Sequence, residues 1–259
     1  MSTLTATERR SPFDLHGKRA VVTGAGRGLG QAVALGLAEA GADLVLVGLP
    51  GSQESTERQA ADLGREVEVH DLDVGDLDAV ERIAAQVTGR HQIDILVNNA
   101  GIIDREDSVN VSADAWNRVL DINLSGLFFL CQQLGRPMVE RGQGKIVSIA
   151  SLLAFQGGLR VVSYAASKHG VAGITKALAN EWGPRGVQVN AIAPGYMATD
   201  NTTALREDAD RAQSILDRIP AGRWGTAADV AGAAVFLSSP AADYVNGHVL
   251  VVDGGWMAR

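Results

Sequence analysis

From Lys18 onward the chain alternates between short runs of β-branched and apolar residues and longer stretches with helical spacing, and this rhythm constrains the fold more than any other feature. Arg19 to Thr23 gives way to a helical Gln31 to Ala40, then Leu44 to Val47, a polar segment around Glu54 to Gly64, and Val67 to His70. A helical Leu77 to Thr88 precedes Ile93 to Val97, and a helix from about Ser112 to Arg141 precedes Lys145 to Ile149. Helices from about Ser163 to Trp182 and Ala227 to Leu237 precede the last runs, Val187 to Ile192 and His248 to Val252. Runs that are apolar at nearly every position suit parallel strands covered on both faces. No Pro/Gly/Ser-rich linker, repeat or low-complexity block interrupts the pattern. The expected fold is therefore α/β: a single doubly wound domain over residues 15–259, with a seven-stranded parallel sheet and helices on both faces. Residues 1–14 are expected to form a loosely packed tail. Residues 196–224 lack a strand signal and are expected to act as a lid over a ligand site.

Composition narrows the function. With 46% hydrophobic and 20% charged residues, the chain can build a sizeable core. Its net charge of −7, from 23 Lys and Arg against 30 Asp and Glu, argues against binding nucleic acid or an anionic membrane surface in bulk. No run approaches the roughly 18 apolar residues of a membrane helix, and the N-terminus has no apolar segment of the signal-peptide kind. A single cysteine, Cys131, cannot form an internal disulfide, which suits a reducing, cytoplasmic location. The five histidines are scattered without helical i, i+4 pairing, so no metal is expected.

Thr23-Gly24-Ala25-Gly26-Arg27-Gly28-Leu29-Gly30 follows the first strand and opens the first helix. Glycines there let the backbone turn sharply and approach a pyrophosphate without a Cβ in the way, while the helix start offers N–H groups and a favourable dipole. The loop, including Arg27 and Leu29, is therefore expected to cradle a dinucleotide. An acid about 20 residues further on normally binds the ribose hydroxyls and repels a 2′-phosphate. Gly48 stands at that place, and Arg27 is near, so the residues leave NAD and NADP both open.

Tyr164 and Lys168 lie four apart in a segment of small residues that reads as helix, so they face the same way. A phenol with pKa near 10 needs a neighbouring cation to exchange protons near neutrality, and Lys168 can supply it. Ser151 stands thirteen residues before Tyr164, just past the fifth strand, where a hydroxyl can meet a substrate carbonyl. Ser148 has the wrong spacing and is read as part of that strand.

Taken together, the T-G-x-x-x-G-x-G loop (Gly24, Gly28, Gly30), Asp73-Val74, Asn98-Asn99-Ala100-Gly101, the S…Y-x-x-x-K pattern and Pro194-Gly195 occur in an order that resembles the short-chain dehydrogenase/reductase family, over the chain from Leu15 onward. The resemblance implies a Rossmann-type fold and an NAD(P)-dependent enzyme. It implies that Asp73 and Val74 meet the adenine, that Asn99 lines the cofactor, and that Met197 and Thr199 contact the carboxamide. It adds Asn123 as a fourth catalytic position, whose main-chain carbonyl holds a proton-relaying water. Tyr164 would be the acid in reduction and the base in oxidation. Lys168 would lower the phenol pKa and hold the nicotinamide ribose, and Ser151 would polarise the carbonyl.

Further stretches, among them Ile102 to Asp107, Phe155 to Val161, Ile215 to Gly225 and Asp253 to Trp256, resemble the members of that family that act on sugar acids such as 2-deoxy-D-gluconate or 2-dehydro-3-deoxy-D-gluconate. This tips the cofactor expectation toward NAD(H), with NADP(H) left open. A buried substrate carboxylate calls for a cation, and Arg105, Arg160 and Arg223 are the candidates. The apolar C-terminal end is expected to be buried, and the resemblance implies a homotetramer. Two other readings are a reductase of 3-oxoacyl thioesters and a non-catalytic cofactor-binding regulator.

Overall fold

The computed structural model describes residues 11–259, so residues 1–10 of the expected tail lie outside the described residues. Seven strands form one sheet in the order β3-β2-β1-β4-β5-β6-β7, and each neighbouring pair is parallel. They are β1 Arg19–Thr23, β2 Asp43–Gly48, β3 Val67–Asp71, β4 Ile95–Asn98, β5 Gly144–Ile149, β6 Val187–Pro194 and β7 Val249–Val252. The intervening helices are α1 Gly28–Glu39, α2 Glu54–Asp62, α3 Leu77–Arg90, α4 Ala113–Leu120, α5 Leu127–Arg141, α6 Val162–Trp182, α7 Thr203–Glu207, α8 Ala209–Leu216 and α9 Ala227–Ser238.

Alternate residues of each strand enter opposite layers. Ala20 and Val22 of β1, with Leu44 and Leu46 of β2, pack under α1 and α9 through Val33, Leu37, Val230 and Leu237. Val21, Val45 and Leu96 face the other layer, formed by α3, α5 and α6 through Val80, Leu130 and Val171. Strands covered on both faces, such as β1, β2, β4 and β5, read as largely apolar, whereas the edge strand β3, Val-Glu-Val-His-Asp, alternates and is half-buried. Gly36 allows α1 and α9 to approach closely, since a Cβ there would stand 3.2 Å from that of Ala231.

Between α4 and α5 the chain forms a π-helical turn, Asp121–Gly126, where the sequence predicts one uninterrupted helix. A Cβ at Gly126 would overlap the Val74 carbonyl, so close packing against the loop after β3 requires glycine there. Pro12 and Phe13 are also held: Ala241 donates to the Pro12 carbonyl at 3.0 Å, and the Phe13 ring packs 6.5 Å from Phe236. Among the described residues, no helix is long and apolar enough to cross a membrane.

Candidate active site

After β3 the chain returns to the far side of β1 and lays down β4, so the carboxyl ends of β1 and β4 flank a topological switch point, where open α/β sheets bind ligands. A cleft of about 1290 Å³ opens there. Gly24 and Gly28 adopt φ of +63° and +58°, a region glycine enters without strain. A Cβ at Gly30 would overlap the Gly24 carbonyl and the Asn99 amide, and one at Gly26 would overlap the Ser52 backbone. Asn99 Nδ2 donates to the carbonyls of Thr23 and Gly24 at 3.0 and 3.1 Å. Thr23 Oγ1 in turn accepts from the N–H groups of Asn99 and Ala100, both at 3.0 Å. The loop is thus fixed before any ligand arrives, with the first turn of α1 presenting N–H groups that lack intrahelical partners. A cradle that a methyl group would fill, at the positive end of a helix, fits the pyrophosphate of a dinucleotide.

The far end of the cleft contains no carboxylate at the tip of β2. Gly48 lies there, and a Cβ on it would stand 2.5 Å from the Gln53 amide nitrogen, so the buried Gln53 side chain fills the place of a longer residue. Arg27 lines the cleft and pairs with Asp200 at 3.2 Å, both side chains being well exposed. Such a pair is weak, and a phosphate could displace the carboxylate. Asp73 and Val74 line the cleft as well. Asp73 accepts from Arg118 Nη2 at 2.7 Å and from the Gly75 N–H at 3.0 Å. Burial alone would raise its carboxyl, but those two hydrogen bonds prevail and hold it below the ordinary carboxylate range. Nothing local in the sequence marks Arg118, on α4, as the partner of a residue 45 positions away.

Ser151, Tyr164 and Lys168 meet on one wall of this cleft. Ser151 leaves β5 in an extended conformation, and its Oγ accepts from the Leu153 N–H at 3.2 Å. Tyr164 is in the first turn of α6, with Lys168 one turn on. Lys168 is 4% exposed, and its Nζ donates to the Ile149 carbonyl at 2.6 Å while standing 5.5 Å from the centre of the Tyr164 ring. Burial pushes its amine down to about 8. The Tyr164 phenol is pushed up by burial, against which Ser151 and the positive charge of Arg105 pull weakly downward. This differs from the expectation that Lys168 lowers the phenol. The ammonium gives its hydrogen bond to Ile149, and burial dominates both groups.

Asn123 sits in the π-turn, fully buried behind the cleft wall. Its Oδ1 accepts from the Ile102 N–H at 2.8 Å, and its Nδ2 donates to the Ile102 carbonyl at 2.8 Å and to Ser167 Oγ at 3.2 Å. Ser167 Oγ donates to the Tyr164 carbonyl at 2.7 Å. The Asn123 side chain therefore ties the loop after β4 to the helix that carries Tyr164 and Lys168. Ser148, paired within the sheet, is 2% exposed. Thr199 lines the cleft, whereas Met197 is buried in the core layer under α9 and bridges to Gly225.

Of the three candidate arginines, Arg105 alone lines the cleft. Arg160, with φ of +61°, turns outward and its Nε pairs with Asp107 at 3.1 Å. Arg223 makes two 2.8 Å bonds to Asp229, whose carboxylate also caps α9 at Thr226. That arrangement holds the Asp229 carboxyl well below its usual range, through the hydrogen bond from Arg223 first and those from Thr226 next. Two further cations, Arg211 and Arg218, line the cleft from the 196–224 segment. The sequence places that segment over the site, but which of its arginines faces inward is decided by packing: Arg211 and Arg218 do, and Arg223 does not.

The family described as enoyl-(acyl carrier protein) reductase matches residues 24–257. The chain is 53% identical to 2-dehydro-3-deoxy-D-gluconate 5-dehydrogenase of Bacillus subtilis, covering 95% of this chain and 97% of that protein. A structure described as a 2-deoxy-D-gluconate 3-dehydrogenase from Agrobacterium tumefaciens, with bound NADP, is 54% identical, superposes with a TM-score of 0.92, and is matched over 96% of this chain and 100% of that one. A gluconate 5-dehydrogenase from Burkholderia cenocepacia in complex with NADP and tartrate is 39% identical, with a TM-score of 0.92 and coverage of 96% and 98%.

Proposed function

Because the chain belongs to the short-chain dehydrogenase/reductase family, we propose that it is an NAD(P)-dependent oxidoreductase that interconverts a hydroxyl and a ketone on a sugar acid, such as 2-dehydro-3-deoxy-D-gluconate or 2-deoxy-D-gluconate. The observation that carries this reading is the convergence of Ser151, Tyr164 and Lys168 on the wall of a cleft that begins at the glycine loop. When bound, the dinucleotide supplies the hydride acceptor or donor. Gly24, Gly28 and Gly30 hold its pyrophosphate, Leu29 and Asn99 line it, Asp73 and Val74 flank the adenine, and Thr199, with the backbone of Met197, meets the carboxamide. Tyr164 Oη gives a proton to the substrate oxygen in reduction and takes it in oxidation. Ser151 Oγ hydrogen-bonds that oxygen and steadies its developing charge. Lys168 holds the nicotinamide ribose and exchanges protons with Tyr164, with a relay water held at the Asn123 carbonyl. Arg105, whose charge reaches Tyr164, faces the substrate.

At the adenosine end, Gly48 offers no charge to repel a 2′-phosphate, and two similar structures contain NADP. We therefore read the site as accepting NADP(H) as well as NAD(H), without the NAD preference expected from the sequence. Residues 196–224 serve as the lid. The protein works as a homotetramer in a reducing cytoplasm, where its buried Cys131 thiol, pushed up to about 12 by burial, stays unreactive.

The test is a spectrophotometric screen of hexonates, deoxyhexonates and ketodeoxyhexonates, run in parallel with NAD and NADP. Turnover of at least one sugar acid is expected, falling about 100-fold or more in Tyr164→Phe. Activity confined to an acetoacetyl thioester would favour the thioester reductase reading, and turnover unchanged by Tyr164→Phe would remove the proposed proton donor.

A further inference from the structure

Arg218 is held in the cleft by the last residues of the chain. Its guanidinium lies 3.9 Å over the ring of Trp256, which is 5% exposed. Trp256 in turn packs 4.6 Å from Tyr196, and Tyr196 lies 5.6 Å edge-on to Trp224. The two backbones are tied together. The Ala221 N–H donates to the Gly254 carbonyl at 2.9 Å, and Arg259 Nη1 donates to the Asp217 carbonyl at 3.0 Å. Asp253 accepts from the N–H groups of Gly255 and Met257, both at 2.8 Å, and so shapes the final turn. Gly255 has φ of +93°, and a Cβ on it would stand 2.9 Å from Pro220. The Trp256 indole N–H is buried with no acceptor among the described residues. A ring placed only to fill the core would ordinarily keep such a partner.

This assembly belongs to the reacting end of the cleft. Trp256 shares a hydrophobic cluster with Leu152, the residue after Ser151, and Tyr196 follows directly on Gly195 at the tip of β6. Among the cleft cations, Arg27 is paired with Asp200 and Arg118 with Asp73, and Arg211, the other arginine that the 196–224 segment brings to the cleft, is stacked on no ring among the described residues. The Arg218 side chain makes no hydrogen bond or ion pair with the described residues, and it lines the cleft. A guanidinium stacked on an indole face keeps its in-plane N–H donors free for a planar, bidentate anion. Stacking also removes much of the conformational entropy that an exposed arginine would otherwise lose on binding.

We propose that Arg218, stacked on Trp256, receives the carboxylate of the sugar-acid substrate and sets the preference for acids over neutral polyols. This rests on the sugar-acid reading above and identifies the group within the site that would enforce it. It also gives the C-terminal turn a function, namely to fix the plane of that guanidinium.

The experiment compares the parent enzyme with Arg218→Met, which keeps an apolar stem on the indole, and Arg218→Lys, which keeps the charge without the planar fork. With NADPH saturating, which cannot take hydride from a hydroxy acid, calorimetric titration with D-gluconate and with uncharged glucitol reads recognition directly, and steady-state kinetics on the best sugar acid reads KM and kcat. Arg218→Met should weaken gluconate binding and raise KM about 10- to 100-fold, with kcat within about threefold, and glucitol and NADP⁺ affinities unchanged. Arg218→Lys should fall between the two. Gluconate affinity within twofold of the parent in Arg218→Met, while the parent still turns over sugar acids, would overturn the assignment and leave the function standing. Sugar-acid turnover absent from the parent would instead sink the functional reading, and the dependence of gluconate binding on Arg218 would then decide the assignment alone. A parent that does not prefer gluconate to glucitol overturns it as well.

Discussion

Replacing Lys168 with methionine should make the protein harder to unfold near neutral pH while abolishing its activity. The amine is 4% exposed and is pushed from the ordinary 10.5 down to about 8 by burial alone. Each unit corresponds to about 1.4 kcal/mol, so holding the charged form inside the fold costs about 3 kcal/mol at pH 7. Methionine fills a similar volume without charge, but leaves the Ile149 carbonyl without the donor it now has at 2.6 Å, a loss of about 1–2 kcal/mol. A net gain of about 1–2 kcal/mol remains. Below about pH 8 both the folded and the unfolded parent carry the proton, and the cost is full. As the pH rises from about 8 toward 10.5, the unfolded chain binds more protons than the folded one, so parental stability climbs. Measured as parent minus variant, which cancels the other titrating groups, the climb should be about 2 kcal/mol between pH 7 and 9.5. Urea unfolding of both proteins at these two values is the assay. A variant less stable than the parent at pH 7, together with a difference that stays flat with pH, would refute the reasoning.

Two further outcomes follow from the site. Gly30→Ala places a methyl group where the Gly24 carbonyl and the Asn99 amide now meet. The loop must open to admit it, and NADP⁺ affinity should fall at least about 10-fold in a fluorescence titration, while the protein still melts cooperatively. Arg223→Ala and Arg160→Ala remove side chains that point away from the cleft toward Asp229 and Asp107. Both should leave KM for sugar acids within twofold of the parent, with Arg223→Ala lowering Tm slightly through a looser start to α9.

Local features were legible in the sequence. The inner strands announce themselves because coverage on both faces leaves little polar alternation, the edge strand β3 because its Val67 and Val69 alternate with polar residues, and the glycine loop because close backbone approach admits no other residue. Tyr164 and Lys168 could be paired from a spacing of one helical turn, and Ser151 from its place just beyond a strand. Features that depend on where distant segments come to rest were not legible. Arg160 is as close to Tyr164 in sequence as Lys168 is, yet it precedes the helix in a left-handed conformation and turns outward. Nothing in the sequence sets Arg218 apart from the other arginines of the 196–224 segment, since its stacking partner Trp256 arrives from the C-terminal turn. Met197 stands among residues that face the cleft but is drawn under α9 by its bridge to Gly225. The π-turn leaves no trace in apolar spacing, and the contact that requires glycine in it, the Val74 carbonyl against Gly126, comes from the loop after β3 rather than from within the helix.

That turn also preserves the angular phase of everything after it. A regular helix advances about 100° per residue, and a wide turn spreads one extra residue over that advance, so deleting a single residue from Asp121–Gly126 would relax it to an ordinary turn and leave α5 close to its present phase. Asn123 would lose its hold on Ile102, while Leu130, Cys131, Leu134 and Met138 would stay pressed on the sheet. A deletion inside Leu127–Arg141 has no wide turn to absorb it and would swing the residues after it by about 100°. Chain length within α5 is therefore as tightly constrained as the chemistry of the proton-transfer residues. Homologues of altered length should carry their insertions in the loops on either side of this helix and spare the helix itself.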